Sequence, residues 1–319
     1  MNDLSYKLSG IQENVSLKPY TTFAIGGPAR YFITAKNETE MVRALLAAVA
    51  ADVPYYILGG GSNLLVSDAG FDGLVIKNEN VDFNLAGTRV NAGGGLSLGF
   101  FVEQCVEHGL TGAEFLVGIP GSLGGAIRGN AGAWGNGIGE IIETVKVFDG
   151  ARVSDWLPAQ CQFTYRNSFL KAKGHVVISA ALQLRQGERQ IVAETTANYL
   201  RQRNSGQQPT GPSAGCTFQN IPLEQVAGQK IMTTLGITAE EYARVTRYGK
   251  LPVGFLLDKI GLKRQRIGGA CVSAEHCNFI INDGSATSDD VARLISLIKR
   301  RVRDTLGIQL EEEVQYLGF

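Results

Sequence analysis

The sequence lacks the features that mark several large classes of protein. It has 5 cysteines in 319 residues, scattered at 105, 161, 216, 271 and 277 with no CxxC pair. That number and spacing argue against a disulfide scaffold or a zinc site and suit a reducing compartment. Neither charge is in excess, since 30 basic residues balance 30 acidic ones. An electrostatic nucleic-acid binder needs a basic surplus, so that class is disfavoured. The strongest basic run, Lys299 to Arg303, continues a helical pattern and reads as a solvated face. No apolar run approaches the ~20 residues that span a bilayer. The opening "MNDLSYKLSGIQENVS" has no apolar stretch of the kind a secretory leader requires. A cytoplasmic protein with no membrane or nucleic-acid partner is the expectation.

What is present describes an ordinary globular chain, 44% hydrophobic and 19% charged, long enough for two or three domains. Val42, Leu45, Leu46 and Val49 fall at helical spacing. A short buried strand, "YYIL", runs into a glycine turn, and residues 73–78 and 88–95 read as further strands. A helix over about 97–108 is closed by Gly109. Strands are expected at 143–149 and 175–185, followed by the helix "VAETTANYLRQR". The polar loop "NSGQQPTGPSAG" then marks a domain boundary. Beyond it come helical patterns at 223–235, at 239–247 and in "VGFLLDKIG", and a strand in "HCNFIIND". "TSDDVARLISLIKRRVRDTLG" is a strongly amphipathic helix, with Ser288 as expected N-cap, acids in its first turn and bases in its last. "IQLEEEVQYLG" reads as a closing strand.

Two glycine-rich loops carry the chemical signal. In "ILGGGSNLLVSD", Gly59, Gly60 and Gly61 precede Ser62, Asn63 and Leu64. Consecutive glycines let backbone N–H groups converge on an anion, and a pyrophosphate is the natural occupant. Leu64 stands where the fingerprint G-x-G-x-x-G has its last glycine, and the Lys-Ser/Thr of a P-loop is missing. The second loop, "VGIPGSLGGAIRGNAGAWGNGIGE", lies in a stretch with 10 glycines between residues 111 and 140. Average usage gives about two. A flexible linker is poor in Ile, Leu and Trp, whereas Ile119, Leu123, Ile127 and Trp134 anchor this one. It reads as an ordered cofactor-binding wall.

These loops, with "YTTFAIGGPARYF", "TYRNSFLK", "PSAGCTFQN", "RIGGACVSAEHCNFIIN" and "LEEEV", run from residue 20 to 314. In that order the chain resembles the UDP-N-acetylenolpyruvoylglucosamine reductase family, flavoenzymes that complete UDP-N-acetylmuramate in peptidoglycan synthesis. The resemblance implies an α+β protein. An FAD-binding portion of the vanillyl-alcohol-oxidase (PCMH) type would occupy 1–80 and 81–190, and a C-terminal α+β substrate domain 191–319. It implies non-covalent FAD held by Gly59 to Leu64 and by Ile119, Pro120, Gly121, Ser122, Gly125, Asn130, Ala131 and Gly132. It implies NADPH as donor, UDP-N-acetylglucosamine-enolpyruvate as acceptor, and a hydride that passes through the flavin to the methylene carbon before the adjacent carbon is protonated. Monomer or weak oligomer is the expected state.

The chemistry needs a group for the substrate carboxylate, a polariser at the enolate and a proton donor. Arg166 suits the first, because a guanidinium donates bidentately and stays charged. Read alone, it is equally a surface arginine. Strand alternation would put Glu311 and Glu313 on one face and Glu312 on the other. Pattern alone leaves Glu311 and Glu313 open, and the resemblance selects Glu313. The family's proton-donor position falls on Cys216, where serine is common. A thiol with an ordinary pKa near 8.5 stays largely protonated at neutral pH and releases its proton more readily than a hydroxyl. Tyr165, Asn220 and His276 match positions lining the substrate or nicotinamide pocket, and Arg203 a basic position near the flavin. By itself, His276 would more often be a satisfied core histidine.

Two departures stand out. Arg128 interrupts "GGAIRGNAG" where an apolar or amide residue is usual. About 30 residues separate "TFQN" from "LLDKIGLKRQRIGGA", and this insertion, roughly 221–250, reads as two helices. The chain lacks the long tyrosine-bearing loop of one subtype and groups with the shorter, second type. Other readings are an oxidase with covalent FAD and a non-catalytic flavin protein. All three histidines and all five cysteines lie outside both glycine loops, which disfavours covalent attachment.

Overall fold

The strand Phe71–Asn78 is buried along most of its length, the mark of a central parallel strand covered on both faces. It pairs in parallel with Pro28–Ala35 and with Tyr55–Leu58, and Gln12–Ser16 completes this four-stranded sheet. In this computed structural model the described residues are Leu4, 8–205 and 209–319. They form two units. The first comprises residues 1–15, 28–60 and 71–205, the second 16–27, 61–70 and 206–319. Residues 16–27 and 61–70, placed in the first block by the sequence reading, therefore pack with the C-terminal part. The cause is a long-range pairing, because Leu64–Val66 lies in parallel with Gln315–Leu317.

In the first unit the helix Glu38–Ala51 covers one face of the parallel sheet. Asn37 caps it by accepting from the Glu40 N–H, and Asp52 ends it in a left-handed conformation. Its buried stripe is Met41, Ala44, Leu45 and Ala48, while Leu46 and Val49 are 46% and 45% exposed. Helical spacing was right, but two of the residues that signalled it face outward, and alanines do the packing. A five-stranded antiparallel sheet runs Val153–Trp156, Ile142–Phe148, Val176–Gln183, Arg89–Gly93, Phe83–Ala86. The helix Leu98–Glu107 lies on it, closed by Gly109 at φ +66°.

The second unit gathers around the helix Ser288–Leu306. Val291, Leu294, Ile295, Ile298 and Val302 form its buried stripe. Each contributes about 1.5–3 kcal/mol of apolar burial. Thr287, not Ser288, is the N-cap, accepting from the Asp290 N–H. Ser288 sits one residue further in because Asp68 occupies it. The Asp68 carboxylate accepts from the Ser288 N–H at 2.7 Å and from its hydroxyl at 2.8 Å. The insertion does fold as two helices, Gly228–Leu235 and Ala239–Val245, rooted by the pairs Ile221–Leu251 and Pro222–Lys250. The closing strand is shorter than expected, only Gln315–Leu317, and that in "HCNFIIND" only Ile280–Asn282. The observed architecture is of the expected α+β class.

Asp68→Ala removes a carboxylate from the first turn of the longest helix. It should lower the unfolding free energy by about 1–2 kcal/mol in urea titration, with flavin chemistry unaffected.

Candidate active site

In the first unit the two glycine loops touch backbone to backbone. A Cβ on Gly59 would stand 2.3 Å from the Ser122 Oγ, and one on Gly60 2.9 Å from the Gly121 Cα. Only glycine allows this approach, and the result is a wall of exposed peptide groups. Ser122 caps the turn Leu123–Arg128 by accepting from the Gly125 N–H at 3.4 Å. Gly132 pairs so closely that a Cβ would meet the Asn136 carbonyl at 2.0 Å. The Ile119 N–H donates to Leu116, and Ala131 packs on the apolar core beneath. A wall without side chains fits the flat, phosphorylated FAD. Alongside it Trp134 stacks on Tyr199, ring centroids 4.5 Å apart, and the Arg203 guanidinium lies over Trp134 at 5.1 Å.

Arg166 occupies the tip of a tight turn, where Thr164 and Asn167 exchange N–H···O bonds of 3.0 and 3.2 Å. Its φ is +54°, a left-handed conformation that costs a non-glycine residue roughly 1–2 kcal/mol. The turn is sewn to the flavin loop at two points. Asn130 Nδ2 donates to the Thr164 carbonyl at 2.8 Å, and the Ser168 hydroxyl to the Arg128 carbonyl at 2.6 Å. Asn130 Oδ1 accepts from the Gly139 N–H, so both ends of this side chain serve the loop's own architecture. Tyr165 lies beside Arg166, its ring 5.8 Å from the guanidinium carbon.

In the second unit the segment Cys216–Gln219 runs between two others. On one side the Thr217 N–H donates to the Asn278 carbonyl at 2.7 Å. The buried Asn278 side chain accepts from the Phe218 N–H at 3.0 Å and donates to the Phe218 carbonyl at 2.8 Å. On the other side the Glu313 N–H donates to the Thr217 carbonyl at 2.8 Å, and the Gln219 N–H to the Glu311 carbonyl at 2.9 Å. Backbone pairing thus sets Thr217, the residue after Cys216, against Glu313, while Cys216 itself bridges Phe279. Glu312 is engaged elsewhere, bonded to Lys299 at 2.6 Å and to the Tyr316 hydroxyl.

Ser62 and Asn63 reach the same place. Asn63 Nδ2 donates to the Glu313 carbonyl at 3.0 Å, and the Ser62 carbonyl lies 3.8 Å from where Gly215 would carry a Cβ. Leu64 is buried at the start of its strand. Thr22 joins these loops, its N–H donating to the Gly61 carbonyl and its hydroxyl to the Ser213 carbonyl at 2.7 Å. Asn220 Oδ1 accepts from the Val253 N–H at 3.1 Å, capping the helix Val253–Lys259. His276 Nδ1 accepts from the Asn278 N–H at 3.2 Å, which fixes the tautomer protonated at Nε2. Burial holds its pKa below the ordinary 6.5, so the ring is neutral near pH 7. Asn278, Ser168 and Thr22 went unread in the sequence as functional residues. Asn278 lies inside a quoted motif, but its role follows only from long-range pairing.

The cysteines differ in kind. Burial pushes the Cys105 thiol up to about 12 and those of Cys161 and Cys277 up to about 11, whereas Cys216 and Cys271 are partly exposed. Iodoacetamide at pH 8 should label Cys216 and Cys271 in the folded protein and leave the other three unmodified until denaturant is added, as read by peptide mass spectrometry.

Comparison with known proteins agrees with this geometry. Residues 29–152 match the model of an FAD binding domain, and residues 207–317 that of the UDP-N-acetylenolpyruvoylglucosamine reductase C-terminal domain. The UDP-N-acetylenolpyruvoylglucosamine reductase of Solibacter usitatus is 38% identical, covering 97% of each chain. That of Caldicellulosiruptor bescii is 35% identical over 99% of this chain and 94% of its own. The crystal structure of the Thermus caldophilus enzyme superimposes with a TM-score of 0.75 at 35% identity, covering 96% of this chain and 99% of its own. The chain belongs to the UDP-N-acetylenolpyruvoylglucosamine reductase family.

Proposed function

We propose that this protein reduces the enolpyruvyl ether of UDP-N-acetylglucosamine-enolpyruvate to the lactyl ether of UDP-N-acetylmuramate, with NADPH as electron donor. The observation that supports this reading is the backbone bond from the Glu313 N–H to the carbonyl of Thr217, the residue that follows Cys216. FAD, when bound, supplies to the substrate's methylene carbon a hydride taken from NADPH. Arg166 binds the substrate carboxylate and neutralises the negative charge that develops there. Cys216 gives its Sγ proton to the adjacent carbon, so that a C–H bond forms as the S–H bond breaks, and the thiolate is reprotonated from solvent. Glu313 polarises the same centre. Substrate, NADPH and one proton thus become product and NADP+.

Tyr165, the Asn220 amide nitrogen and the neutral His276 ring are assigned to the substrate and nicotinamide sites. Among the described residues no helix is long and apolar enough to cross a membrane. Five free cysteines support a reducing cytoplasm, with the protein a monomer or weak oligomer.

Stopped-flow measurement of Cys216→Ala and Cys216→Ser tests the roles. Flavin reduction by NADPH should survive both changes. Reoxidation by substrate should slow by about 100-fold or more in the alanine variant and far less in the serine variant. Equal reoxidation rates in all three forms would remove Cys216 from the mechanism.

A further inference from the structure

One cation in the first unit has no part in the chemistry above. Lys77 lies in the central strand Phe71–Asn78, directly opposite Leu58, the last residue before the glycine turn. Its ammonium donates a short hydrogen bond to the Gly59 carbonyl. Among the described residues no carboxylate comes within 4.0 Å of it. Strand pairing puts Tyr56, Leu58, Val75 and Lys77 on one face of the sheet, opposite the face that carries Ile57, Leu74 and Ile76 against the helix Glu38–Ala51. A second desolvated cation stands toward this side. Arg128, from the other glycine loop, interacts electrostatically with the half-buried Tyr56 and likewise has no carboxylate partner among the described residues.

Lys77 is half-buried, and withdrawing a positive charge from water without a counter-ion costs free energy that an anionic ligand would offset. Burial lowers the pKa of Lys77, Glu79 being the only acid that offsets the effect. An ammonium has three donors, and here one is spent on the carbonyl of the first glycine. We propose that Lys77 is a binding residue for the FAD diphosphate: it holds the Gly59–Gly60 turn in place and supplies the charge that the diphosphate neutralises. This rests on FAD being the ligand of the two glycine loops. It gives Lys77, the one cation of the central strand, a role that its own neighbours do not.

The test is the FAD dissociation constant of the holoprotein, read by recovery of flavin fluorescence on dilution across a series of NaCl concentrations, for the native chain, Lys77→Met and Lys77→Arg. Methionine keeps the length and loses the charge. At low salt Lys77→Met should bind FAD at least about tenfold more weakly, and its affinity should depend less on salt than that of the native chain. Lys77→Arg should retain most of the affinity. Native-like affinity in Lys77→Met would overturn the proposal. So would weakened binding with an unchanged salt dependence, or a loss in Lys77→Arg as large as in Lys77→Met, since either places the effect in packing rather than charge. A native chain that binds no FAD would overturn instead the cofactor assignment on which the proposal stands.

Discussion

Three hydrogen bonds to one buried asparagine fix the segment that carries the proposed proton donor of the second unit. Asn278 receives the Thr217 N–H on its carbonyl and closes a two-point clasp around the backbone of Phe218 with its side chain. An isolated segment of this length would not hold an extended shape in water. Here it is paired on both sides, by Asn278 and by Glu311 to Glu313, so the backbone on either side of Cys216 takes its position from main-chain geometry. Backbone pairing is insensitive to side-chain identity. Position 216 can therefore carry a thiol without disturbing the pairing around it. The small residues before Cys216 serve the same end, since a Cβ on Gly211 would meet Ile281 at 2.9 Å.

The first unit meets a different constraint by the same means. A cofactor wall made of glycine has no side chains with which to hold itself, so its rigidity comes from neighbours. Ser122 and Gly121 brace Gly59 and Gly60, Lys77 holds the Gly59 carbonyl, and Asn130 and Ser168 tie the second loop to the turn that presents Arg166. The strained φ of Arg166 is maintained by those ties. Polar side chains that look like ligand contacts in the sequence, Asn130 and Asn220 above all, spend hydrogen bonds on the protein's own backbone.

Much of this was legible in the sequence, because glycine runs, helix periodicity and caps are local signals. The two loops, the long C-terminal helix and the two-helix insertion all follow from residues within a few positions of one another. What was not legible depends on distant partners. Of the acids at 311–313 only Glu312 forms a bridge, to Phe218, and none lies in a regular strand, so strict alternation does not decide which of them is available. Glu312 is removed from consideration by Lys299 and Tyr316, which no local pattern reveals. Ser288 yielded the cap to Thr287 because Asp68, 220 positions earlier, already occupied it. Asn278 reads as one more polar residue in "HCNFIIND" until Phe218 is placed against it.

The claim that backbone pairing at Asn278 sets the protonation chemistry is tested most directly by the single-turnover rate of flavin reoxidation in Asn278→Asp, a change that keeps the shape and loses the donor to the Phe218 carbonyl. Reduction by NADPH serves as the internal control for an intact flavin site. The account predicts normal reduction and reoxidation slowed by about tenfold or more, because Cys216 is no longer held in register. Reoxidation at the native rate would contradict it.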